Sequence, residues 1–120
     1  MRFIVLVKAT KESEAGVMPK LEQLKHMGEF NDEMTKAGVM LDGAGLVPTS
    51  KGTRIKFAPG KVTVIDGPFT EAKELVAGYW LIDVKSHEEA VAWMRRAPFE
   101  KVQGEGEIEI RRLYTEEDFA

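Results

Sequence analysis

The chain has 120 residues, a net charge of −3, 43% hydrophobic and 31% charged residues, and no cysteine. One self-sufficient core fits that length, and the proportions are those of a globular domain rather than a disordered or membrane-spanning one. The missing thiols exclude disulfides, thiolate catalysis and cysteine-ligated zinc, and the negative balance opposes general nucleic-acid binding, which rests on neutralising phosphates.

Phe3 to Val7 is an unbroken apolar run. It is far shorter than the ~20 residues needed to cross a bilayer, and it lacks the basic leader and cleavage site of a signal peptide. A cytoplasmic protein with no membrane partner is therefore expected. The same run predicts a strand over Arg2 to Lys8 that is covered on both sides. From Val17 to Ala37 the apolar positions Val17, Leu21, Leu24, Met27, Phe30, Met34 and Ala37 recur at the three-and-four spacing of an amphipathic helix. Pro19 is compatible only with its first turn, which puts the start near Met18. Gly38 is placed to end it in a left-handed cap. Val39 to Val47 resumes as a strand containing Gly43 and Gly45. Thr53 to Phe57 and Lys61 to Asp66 alternate around Ala58-Pro59-Gly60, predicting a hairpin whose outward face is polar. Gly78 to Lys85 is a strand with Tyr79 and Leu81 on one face and Trp80, Ile82 and Val84 on the other. Ser86 and Glu89 form a capping box that opens a second helix, closed by Pro98. Gly104-Glu105-Gly106 reads as a turn before a last alternating strand, Glu107 to Leu113.

Without the hairpin the order is β-α-β-β-α-β, an α+β chain with a ferredoxin-like sheet and both helices on one face. A single domain is expected over residues 1–114, followed by a short acidic tail over 115–120 that frays, with Phe119 free to dock on a partner. The two central strands carry large apolar side chains on both faces, yet the helices cover only one. Leaving Ile4, Leu6, Tyr79 and Leu81 in water forgoes ~1.5–3 kcal/mol each, which is large against a total stability of ~5–15 kcal/mol. That face is expected to be sealed by a second sheet or a ligand.

Asp66-Gly67-Pro68-Phe69, with Glu74-Leu75-Val76-Ala77-Gly78-Tyr79-Trp80-Leu81 and Ser86-His87-Glu88-Glu89-Ala90-Val91-Ala92-Trp93, resembles the DGPF-domain family, a branch of the YCII-related proteins. The resemblance extends through Phe30-Asn31-Asp32-Glu33-Met34, Lys36-Ala37-Gly38-Val39, Gly45-Leu46-Val47-Pro48 and Lys51-Gly52. It implies pairing as a dimeric α/β barrel, in which two ferredoxin-like sheets meet face to face and leave a cleft between sheet and helix. It also implies an acidic residue at the DGP turn, Asp66, acting with a histidine of the first helix. Here the position of that histidine holds Gln23, which cannot take a proton at neutral pH. By family association alone, a regulatory module tied to an extracytoplasmic-function sigma factor is a further alternative.

Asp66 is the candidate general base, with His26 or Tyr79 as its acid partner, in an enzyme of isomerase, lyase or dehalogenase type. Against this, Asp before Gly-Pro commonly caps its own turn, and His26 projects to the border of the apolar arc of the helix. His87 projects into the apolar face of the second helix as a core or cap residue. Gln23, Met27 and Asn31 form an i, i+4, i+8 line down the middle of the first helix's apolar arc, so two amides are expected to point at the sheet. Either they bond to strand carbonyls, or with Asp66 and the ring of Tyr79 or Trp80 they line a small ligand pocket. Gly43 and Gly45 would allow close approach of backbone to a ligand. No histidine or cysteine spacing suits a metal, the glycines are not a dinucleotide fingerprint, and no cofactor is expected. The favoured expectation is a small homodimeric binding protein holding a small molecule between the first helix and the sheet.

Overall fold

β1 (Arg2–Lys8) and β5 (Val76–Asp83) form the centre of an antiparallel sheet ordered β2-β5-β1-β6, with β2 (Met40–Gly45) and β6 (Ile108–Arg112) at its edges. This computed structural model describes residues 1–71 and 74–120. The order is the ferredoxin-like one. Both central strands carry apolar side chains on both faces, and alternation sends Phe3, Val5, Trp80 and Ile82 to one face and Ile4, Leu6, Tyr79 and Leu81 to the other.

The first face is the core. Phe3, Val5, Met34 and Ile82 are fully buried there, packed with Phe30, Trp80, Val84, Ala90 and Met94 from the sheet, α2 (Leu21–Lys36) and α3 (His87–Met94). Phe30, Trp80 and Phe99 form a chain of edge-on aromatic pairs with centroids 5.8 and 6.0 Å apart. An ion pair between Glu33 and Arg96 joins α2 to the turn that follows α3. Among the described residues no helix lies on the second face, and Ile4, Leu6, Tyr79 and Leu81 remain half-buried there.

Several local expectations need correction. A short helix, α1 (Lys11–Glu14), capped reciprocally by Thr10 and Ser13, precedes the main one. α2 starts at Leu21 rather than near Met18, because Gln23 Oε1 accepts the Lys20 N–H at 2.8 Å and makes Lys20 the cap. Only Phe30 and Met34 of α2 are fully buried, and Leu21 and Leu24, which belong to its apolar arc, are exposed. At the other end Gly38 adopts φ 71°, with Val39 N–H donating to Met34 O and Gly38 N–H to Thr35 O, a Schellman cap. Ser86 caps α3 by accepting from Glu89 N–H, but Glu89 answers Lys85 N–H rather than that of Ser86. Pro98 does not simply close that helix; it caps a further one, α4 (Phe99–Gln103).

Between β2 and β5 the chain makes β3 (Thr53–Ala58) and β4 (Lys61–Asp66), a two-stranded ribbon paired only with itself among the described residues. Its outward surface is not uniformly polar. Ile55, Phe57, Val62 and Val64 share one face and are all exposed. The radius of gyration, 16.4 Å, exceeds the ~13.6 Å of a compact chain of this length, because this arm stands away from the body. The acidic tail is folded rather than frayed. Residues Glu116–Phe119 make a 3-10 turn held by Arg112, whose guanidinium donates to both Asp118 oxygens at 2.8 and 2.9 Å.

Candidate functional site

β5 and β2 are in register at Gly78 and Gly45, and both positions lie on the helix-covered face, two residues from Trp80 and Gly43 respectively. Two glycines side by side leave the sheet without side chains where α2 crosses it. The result is a cleft of about 380 Å³. Gly45 and Gly78 form its floor, Met27 and Asn31 its helix wall, and Trp80 and Phe99 its sides. A β-bulge at Ala77 interrupts the pairing of β5 with β1 beside this floor, a common device for aiming residues at a site. The cleft opens into a larger cavity of about 1000 Å³ between α1, the start of α2 and the segment after β2, with Gly45 and Ala77 common to both.

Asn31 sets the polarity of the cleft. Its Oδ1 accepts the Trp80 indole N–H at 2.9 Å, which satisfies the indole and fixes which way the carboxamide faces. Its amide nitrogen makes no hydrogen bond among the described residues, and the residue lines the cleft. Gln23 is spent structurally. Its oxygen caps α2 through Lys20 N–H and its nitrogen donates to Val102 O, tying α2 to α4. It lines the larger cavity, not the cleft. Gly43 is required by packing, since a Cβ there would lie 2.9 Å from both the Trp80 ring and the Met40 methyl. Gly45 differs, because a Cβ on it would meet nothing within 4 Å and would project into open space.

The other candidates are dispersed. Tyr79 borders the cleft from β5 but its ring lies on the opposite, uncovered face, where its hydroxyl donates to Asp42 at 3.0 Å. That hydrogen bond, and the Asp42 charge behind it, raise the phenol's pKa above its ordinary value and make it a weaker acid. His26 is half-buried on α2 and lines neither cavity. His87 is exposed at the start of α3, its ring edge-on to Phe3 at 5.7 Å. Asp66 is exposed at the end of β4 and accepts from the Thr53 hydroxyl across the ribbon at 3.1 Å. Asp66, His26 and Tyr79 are thus not brought together within one chain. Among the described residues no group of three or more His, Cys, Asp or Glu lies close enough to hold a metal.

The turn that contains Asp66 has a structural account. A Cβ on Gly67 would fall 1.8 Å from Thr49 O, so only glycine fits where the two segments cross. The Gly67-Pro68 bond is cis. Phe69 N–H donates to Thr49 Oγ1 at 3.1 Å, and the Phe69 ring lies under the Arg54 guanidinium at 3.8 Å. Thr49 in turn gives its hydroxyl and its N–H to the Glu14 carboxylate at 2.6 and 3.2 Å. Asp66-Gly67-Pro68-Phe69 therefore buckles the root of the arm to α1. No periodicity in the sequence announces this lock, because Glu14, Thr49 and Phe69 are far apart along the chain.

Comparison with known proteins fits this geometry. Residues 1–116 match the profile of the YCII-related domain. An uncharacterised protein of Rhizobium meliloti (strain 1021) is 34% identical over 86 residues, a match covering 72% of this chain and 64% of that protein's length. The 5-chloro-2-hydroxyhydroquinone dehydrochlorinase of Burkholderia phenoliruptrix AC1100, solved with 2,5-dihydroxybenzoquinone, superposes with a TM-score of 0.54 over 95% of this chain and 94% of its own. At 15% identity that likeness speaks for the fold.

Proposed function

The chain belongs to the YCII-related family, and from that premise we propose that it is a homodimeric binding protein that takes a small, flat, uncharged molecule into the cleft between α2 and the sheet. The observation that carries this is the lining of the cleft. Aromatic and aliphatic surface from Trp80, Phe99, Met27 and Val7 surrounds a floor of glycine, and the Asn31 carboxamide, its oxygen held by the Trp80 indole, supplies a polar group in that lining. Apolar walls with one placed polar group suit recognition of a ligand carrying an acceptor atom. Acid–base chemistry would require a titratable side chain there, and Tyr79 turns its hydroxyl away. The homodimer is supported by the apolar sheet face that no part of the described chain covers.

Gly45→Leu tests the reading, because residue 45 lines the cleft and a Cβ there meets nothing within 4 Å. In a thermal-shift screen of uncharged aromatic and quinonoid fragments, hits that stabilise the native protein and quench Trp80 should lose both effects in this variant. Hits that persist unchanged would place the binding elsewhere. A second reading is an enzyme of isomerase, lyase or dehalogenase type with Asp66 as general base. Its support is the dehydrochlorinase likeness, and it requires a partner copy to carry Asp66 to the cleft. Turnover of a haloaromatic that Asp66→Asn abolishes would favour it.

A further inference from the structure

The cleft does not end at Gly45. Gly45 and Ala77 line both the cleft and the larger cavity, so the two spaces meet at a neck where these residues offer only a hydrogen and a methyl group. The backbone sets the spacing of that neck. Leu46 N–H donates to Ala77 O at 2.8 Å, which carries the contact of β2 with β5 one step beyond the Gly45–Gly78 pair. A Cβ on Gly45 would meet nothing within 4 Å, so no other segment packs against that position. A ring seated between Trp80 and Phe99 therefore has a way out along the sheet.

The chemistry beyond the neck differs from that of the cleft. Val17, Met18, Leu46 and Val47 line the larger cavity and are each between 51% and 79% exposed. Apolar side chains grouped around a concavity mark a surface that takes a ligand or partner. The uncharged polar groups of the same lining are largely committed to the fold. Thr10 and Ser13 cap each other, and Gln23 is bonded to Lys20 N–H and Val102 O. The charges are mixed, with Glu12, Glu14 and Glu105 set among Lys20 and Lys51, and Glu14 is already engaged by Thr49. No one sign is concentrated for a charged group, and hydrocarbon is what the remaining surface suits.

We propose that the ligand is a ring bearing an unbranched alkyl chain, the ring in the cleft and the chain passing over Gly45 and Ala77 to lie against Met18, Leu46 and Val47. This rests on the reading of the cleft as a ligand site. The test is calorimetric titration with 4-n-alkylphenols, from methyl to hexyl, of the native protein, of Gly45→Leu and of a Met18→Asp, Val47→Asp double variant whose changes lie at exposed positions. In the native protein each added methylene is expected to tighten binding about two- to fourfold, ~0.4–0.8 kcal/mol at ~1.4 kcal/mol per tenfold. That gradient should vanish in the double variant. A gradient that the double variant retains sends the chain elsewhere and overturns the inference. Binding of 4-methylphenol that Gly45→Leu abolishes, with no gain along the series in the native protein, also overturns it and leaves the cleft reading standing. If no member of the series binds, or if Gly45→Leu binds them all as the native protein does, the cleft reading and the inference fall together.

Discussion

Gly67 shows how one residue can be essential for shape without being chemically reactive. Thr49 O occupies the space where its Cβ would stand, so any side chain must push apart the arm root and the segment that Glu14 anchors. Overpacking of this kind costs about 1–3 kcal/mol. Gly67→Ala is expected to lower the urea midpoint accordingly and to speed amide exchange in β3 and β4; an unchanged midpoint and exchange pattern would contradict the lock. The motif was recognisable from the sequence, but its role was not, since Asp66 was the residue that suggested chemistry while Gly67 and Phe69 make the contacts. Gln23 and Asn31 illustrate the same limit. Helical projection put both amides toward the sheet, and both are half-buried. Projection could not say that Gln23 would be consumed by Lys20 and Val102 while Asn31 keeps a donor free, because partners 49 and 79 residues away decide it.

Among the elements, α2 is two helices in its energetics. Its C-terminal half buries Phe30 and Met34, whereas its first turns border the larger cavity through Gln23. Leu21 and Leu24 have helical spacing but no counterpart below them, which is why periodicity alone assigned them to the core. The C-terminal 3-10 turn depends on a charged pair and so on pH. Hydrogen bonds from the Arg112 guanidinium, and from the Thr115 N–H at 2.6 Å, hold the Asp118 carboxyl well below the usual carboxylate range. A lowered folded-state pKa means that the contribution is fully present above the unfolded value of ~3.9 and is lost as pH falls through the folded one. Docking of the tail should therefore survive from neutral pH to about pH 4 and release below it. In Asp118→Asn the tail should be loose throughout. Carboxypeptidase trimming or tail NMR shifts across pH 2–7 would show it, and trimming independent of pH in the native chain would refute it.

At the scale of the molecule, the body is a slab, and the chain's shortest extent is 18 Å. A helix is ~10–12 Å across, so that thickness accommodates one helix layer and one sheet, and no described element lies on the sheet's other side. On that side Ile4, Leu6, Tyr79 and Leu81 stand among Lys8, Glu109 and Asp42, with Lys8 paired to Glu109 at 3.2 Å and Tyr79 to Asp42. The proposed dimer predicts that Leu81→Lys, which adds an unpaired charge to the middle of that face, halves the particle mass measured by light scattering while leaving the circular dichroism of the fold intact. A native protein that is already a single-chain particle, or a variant that stays paired, would remove this face as the interface. No helix among the described residues is long and apolar enough to cross a membrane.

The ferredoxin-like order, the central placing of two apolar strands, the Gly38 cap and the double-sided apolar patterning could all be read from the chain alone. Each follows from period-two or period-three-and-four patterning and from glycine, proline and capping residues acting on their near neighbours. Folding decided the cleft, the arm root and the tail. These arise where Gly45 meets Gly78, where Thr49 crosses Gly67 and where Asp118 returns to Arg112. Register and close approach between separated segments set such contacts, and local periodicity carries no record of either.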